Sequence, residues 1–151
     1  MGDLKKTILV ALNDSVSSRF VVSYLADLLV CPENWYITLL HVFKEPSSTE
    51  ELMGKRFKEE QPSRLLKLLQ KAKDKLIENG YDSDKIEVEM ITETSQTTAD
   101  SIIKRFKKGN FDMVVIGRKR MSKAEEFVMG DISVKLVRAL EGTAVLVVKS
   151  Q

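Results

Sequence analysis

Apolar residues fall along this chain in five short runs separated by segments of helical periodicity. Ile8-Leu9-Val10-Ala11-Leu12 is apolar without a break, the pattern of a parallel strand covered on both faces. Ser15 to Ser18 offers helix N-caps, and Phe20, Val21, Tyr24, Leu25, Leu28 and Leu29 then recur at helical spacing until Pro32. Tyr36 to Val42 predicts a second strand. The pattern then breaks down between residues 44 and 62, where Pro46 and Pro62 bracket a polar stretch, predicting a surface excursion with one helical turn around Glu50 to Phe57. Leu65, Leu68, Leu69, Ala72 and Leu76 form the stripe of an amphipathic helix that Asn79-Gly80 stops. In Ile86 to Ile91, Ile86, Val88 and Met90 alternate with Glu87 and Glu89, so this third strand has one wet face and belongs at a sheet edge. A helix capped by Thr97 or Thr98 carries Ile102, Ile103 and Phe106 and ends near Gly109-Asn110. A fourth strand, Met113 to Ile116, precedes a basic loop and a helix near Ile132 to Leu140. Ala144 to Val148 is the fifth strand.

Strands alternating with helices predict a three-layer α/β/α open sheet of five mainly parallel strands. The arrangement expected is 3-2-1-4-5. Connections then reverse direction between the first and fourth strands, and a ligand crevice opens at their carboxyl ends. The loops from Asn13 to Ser15 and from Gly117 to Gly130 would line it. The fifth strand becomes the second edge, yet it is apolar throughout. Such an edge invites pairing, so a twofold dimer through Ala144 to Val148 is expected, with coverage by the chain's own loops as the alternative.

The 151 residues are read as one domain, long enough to bury a core without disulfides or metals. A net charge of +2 does not by itself imply a nucleic-acid partner. One histidine and one cysteine cannot build a zinc site, so no metal is expected. No apolar run approaches the roughly 20 residues that span a bilayer. The first residues lack a signal peptide's apolar region, and the chain reads as cytoplasmic, with no membrane or nucleic-acid partner.

Candidate chemistry concentrates after the fourth strand. Gly117 ends an apolar run and Gly130 precedes a helical pattern, the layout in which helix N-terminal amides hold an anion. Asp131, however, is an acid at that helix start, suited to capping it and repellent to phosphate. Gly117 is explained either by close approach to a ligand or by a turn that needs positive φ. Arg118, Lys119, Arg120 and Lys123 form a basic patch, read as a solvated loop or an anion-binding surface. Asp14 and Ser15 read as turn and cap residues, His41 as a satisfied core histidine, and Cys31 as inert. The run Lys104, Arg105, Lys107, Lys108 suits the dipole at a helix end.

At these residues the chain resembles the universal stress protein family. The likeness rests on Ile8 to Leu12 with its polar turn, Leu39-Leu40-His41-Val42, Asp112 to Gly117, and Thr143 to Val148. It implies the five-stranded order above, in the adenine nucleotide alpha hydrolase-like arrangement, and dimerisation through the last strand. It further implies ATP binding through glycine, two residues, glycine, nine residues, then glycine and a hydroxyl residue. Gly117, Arg120, Gly130 and Asp131 occupy those four positions, so two depart, and Asn13 stands where the family often has aspartate. By the same transfer, Ala11, Asn13, Val42, Gly117, Arg120, Gly130, Asp131 and Ile132 would line a nucleotide site. ATP binding is expected to be weak or lost because of Arg120 and Asp131, with no catalytic residue and a role in stress response by binding or interaction. One alternative is an ATP-binding switch or slow nucleotide hydrolase, with Asp14 and Asp131 as its candidate carboxylates. A response-regulator receiver domain would use Asp14 and Lys149, but Ile91-Thr92-Glu93 supplies no phosphoacceptor aspartate after the third strand.

Overall fold

Two apolar surfaces, one on each side of a single sheet, organise the chain in its computed structural model, which describes residues 5–28, 32–45, 55–125 and 131–150. The elements run β1 (Lys6–Ala11), α1 (Val16–Asp27), β2 (Trp35–Lys44), α2 (Lys55–Glu78), β3 (Ile86–Glu93), α3 (Thr98–Lys108), β4 (Met113–Arg118), α4 (Ile132–Ala139) and β5 (Ala144–Lys149). Strand order is β3-β2-β1-β4-β5 and every pairing is parallel, as expected from the sequence. Register places Val10 opposite Leu39 on one side and Val115 on the other.

Alternation along the buried strands sorts side chains between the two faces. Ile8, Val10 and Leu12 meet Val21 and Leu25 of α1 and Leu69 and Leu76 of α2. Leu9 and Ala11 meet Ile102 and Phe106 of α3 and Leu136 of α4. Helix starts are set by caps: Ser15, Thr97 and Asp131 each accept a backbone N–H of the first turn.

One expected boundary is corrected. The stretch from 44 to 62 is not an excursion throughout, because α2 starts at Lys55 and runs through Pro62. A proline removes one amide and crowds the carbonyl four residues back. Here the apolar stripe of Leu65, Leu69, Ala72 and Leu76, seated against the sheet, outweighs that local cost. Residues 46–54 lie outside the described residues, as does Cys31.

Candidate functional site

The carboxyl ends of β1, β2 and β4 meet the first turns of α1, α3 and α4 around a crevice of about 220 Å³. It lies where the strand order reverses, the place where open α/β sheets receive ligands. Ala11, Asn13, Val42, Gly117 and Ile132 stand in its wall, so the fold gathers five positions drawn from four distant segments. His41 is also in the wall, and its Nδ1 lies 2.7 Å from the Leu12 carbonyl, where it donates. That contact makes it the satisfied core histidine the sequence suggests.

The first loop is tied together by hydroxyls. Ser15 accepts from the Ser18 amide at 3.2 Å, closing the start of α1. The Ser18 hydroxyl donates to Asn13 Oδ1 at 2.8 Å and accepts from the Asn13 amide at 2.8 Å. Ser15 donates to the same Oδ1. The Asn13 side-chain oxygen is thus occupied, and its NH₂ group is what a ligand would meet. Asp14 lies outside the crevice wall and pairs with Arg64 of α2.

Gly117 has a reason that neither sequence reading supplied. It is the fifth residue of β4, and the positive-φ glycines of the described residues are Gly80 and Gly142. A Cβ at Gly117 would come within 2.7 Å of the Ser17 carbonyl oxygen and 3.0 Å of Val21 Cγ2. The missing side chain therefore lets the first turn of α1 press against β4.

On the other side of the crevice, Arg118 closes β4 and reaches α4. Its Nη2 lies 2.7 Å from Asp131 Oδ2, and both side chains are largely buried, at 28% and 10% exposure. The other carboxylate oxygen, Oδ1, accepts from the Ser133 amide at 3.0 Å and the Ser133 hydroxyl at 2.5 Å. Burial pushes the Asp131 pKa up, but the Ser133 hydroxyl, the Arg118 charge and the amides of Ser133 and Val134 together hold it below the ordinary aspartate value. The carboxylate is therefore ionised, and it holds both a cation and an N-terminal amide of α4.

Arg118 corrects the reading of the basic patch. Lys119, Arg120 and Lys123 are exposed, as a solvated loop predicts, but Arg118 is half-buried and belongs to the strand. Alternation carried the signal, since two residues beyond Ile116 a β4 side chain faces the α3–α4 layer. Arg120 and Asp131 do not line the crevice: Arg120 lies in solvent past the strand end, and Asp131 is turned to its own helix. Gly130 lies outside the described residues. Among the described residues, no group of three His, Cys, Asp or Glu could hold a metal ion.

Comparison with known proteins decides the family. The universal stress protein family model matches residues 5–149. The chain belongs to that family. Solved universal stress proteins share its fold at low identity. The protein UspA from Lactobacillus plantarum superposes with a TM-score of 0.71 at 11% identity, covering 95% of this chain and 97% of that one. A universal stress protein in complex with cAMP gives 0.70 at 16%, covering 97% and 98%. A universal stress protein family protein from Arabidopsis thaliana with AMP bound gives 0.65 at 21%, covering 97% and 92%. Among curated proteins, none matches this sequence. In this universal stress protein the start of α4 carries a carboxylate, Asp131, paired with Arg118.

Proposed function

We propose that this universal stress protein acts in stress response by non-catalytic binding or interaction, as a cytoplasmic homodimer whose hold on ATP is weak or lost. The observation that carries the reading is the contact between Arg118 and Asp131. A phosphate at the start of α4 would need a free amide and a nearby cation, and the chain's own carboxylate engages both. A triphosphate would have to displace a paired carboxylate and approach its charge.

The nucleoside half of the crevice is better provided. Ala11, Asn13, Val42, Gly117 and Ile132 line it, and solved relatives carry AMP and cAMP. The ligand class this supports is an adenine nucleoside with few phosphates. Calorimetric titration with ATP and magnesium tests the proposal. The wild type is expected to show no micromolar affinity, while Asp131→Ser, which removes the carboxylate from the start of α4 and places a hydroxyl there, gains at least tenfold. Micromolar ATP binding by the wild type overturns it. The switch or hydrolase alternative makes a different prediction: sustained phosphate release that disappears in Asp131→Ala.

A further inference from the structure

A second cavity, of about 630 Å³, opens between α1 and α2 on the sheet face opposite α4. Its floor is apolar, built from Leu12, Val22, Leu68 and Ala72. Cations edge it: Arg19 from α1 and Arg64, Lys67, Lys71 and Lys75 from α2. The four on α2 recur every three or four residues, so they stand in one row along about 16 Å of helix axis. Asp14 is the one acid in the lining, and it pairs with Arg64. Lys75 donates to the Ser23 hydroxyl at 2.9 Å. Arg19, Lys67 and Lys71 have no ion-pair partner among the described residues. A chain with a net charge of +2 thus concentrates five positive groups along one apolar slot.

We infer that this groove docks an acidic amphipathic helix of a partner protein, apolar side down and carboxylates along the α2 row. Charge complementarity and spacing select that occupant. A single-headed amphiphile such as a fatty acid needs one cation, not a row. A linear polyanion needs the row but has no use for the apolar floor. A helix with acids at every third or fourth position and leucines on an adjacent side uses both, with a repeat that matches α2. The crevice proposal and this one are independent, since neither Arg118 nor Asp131 touches the groove, although Leu12, Asn13 and Ser18 line both cavities.

Fluorescence anisotropy with a labelled synthetic peptide tests the inference: glutamates at every third or fourth position, leucines on the neighbouring side, and a scrambled peptide of equal composition. The patterned peptide is expected to bind at least tenfold more tightly than the scrambled one, and to weaken as salt rises. The double variant Lys67→Glu/Lys71→Glu, at exposed positions, is expected to lose at least tenfold in affinity with an unchanged circular dichroism spectrum. Should that variant misfold, Lys67→Gln/Lys71→Gln replaces it, with a loss of at least threefold expected. Equal binding of both peptides, binding unaffected by either variant, or binding of palmitate or inorganic polyphosphate with the patterned peptide inert would each overturn the proposal.

Discussion

Asp131 divides its two oxygens between two jobs: one caps α4 and the other neutralises Arg118. Replacing it by alanine should cost on the order of 1 kcal/mol through the lost cap, read as a lower urea midpoint with an unchanged slope. Glu93 plays a comparable part before α3. Its carboxylate accepts from the amides of Gln96, Ser95 and Thr94 and from the Ser101 hydroxyl, and the Gln96 and Ser95 amides contribute most to drawing its pKa down to about 2 from the ordinary 4.5. A carboxyl whose pKa falls on folding stabilises the fold above its unfolded value and loses that contribution as pH drops. The melting temperature of the wild type should therefore fall more steeply between pH 4.5 and 2 than that of Glu93→Gln. Gly117→Ala should destabilise by about 1–3 kcal/mol, because the new methyl group meets a backbone carbonyl of α1 rather than a movable side chain. Asp131 was legible as a cap from its place before a helical pattern. Its partner Arg118 was not, because twelve residues of sequence lie between them and only the fold brings them to 2.7 Å. The Ser17 carbonyl against Gly117 was equally hidden, since a backbone contact between elements leaves no side-chain signature.

At the scale of elements, the strands were the readable part. Two-sided burial wrote the cores of β1 and β4 as unbroken apolar runs and β2 as an apolar run interrupted by Thr38 and His41, and one-sided burial wrote β3 as an alternation. The start of α2 was not readable, because Pro62 and a polar first turn carry the composition of a loop while packing further along carries the helix. Tyr81 shows how such elements are pinned. Just past α2, its hydroxyl donates to the Leu25 carbonyl at the end of α1, and burial raises its pKa. Tyr81→Phe should cost about 1 kcal/mol in chemical denaturation, since the carbonyl loses its buried partner. A pKa raised on folding gives a contribution that is complete below the unfolded tyrosine value near 10 and fades above it. The variant should therefore match the wild type more closely in alkali.

For the whole molecule, strand order followed from the alternation of strands and helices, and the crevice from the order. What the sequence proposed beyond that is the pairing of protomers. Around β5 the surface supports it: Val145, Leu146 and Val147 remain half-exposed, and α1 and α4, which flank that strand, present Val16, Phe20 and Tyr24 and Val134 and Val137 to solvent. Sedimentation should give about twice the 17.1 kDa chain mass, and a Val145→Lys variant should move toward the single-chain value. A monomeric wild type at micromolar concentration would remove the pairing.

The carboxylate that sits against Arg118 has a physiological corollary. A receptor built with its counter-ion covalently attached cannot report the level of that ion in its surroundings. On the proposed reading, this protein would not follow the rise and fall of ATP itself, and only a nucleoside bearing few phosphates would register in its crevice.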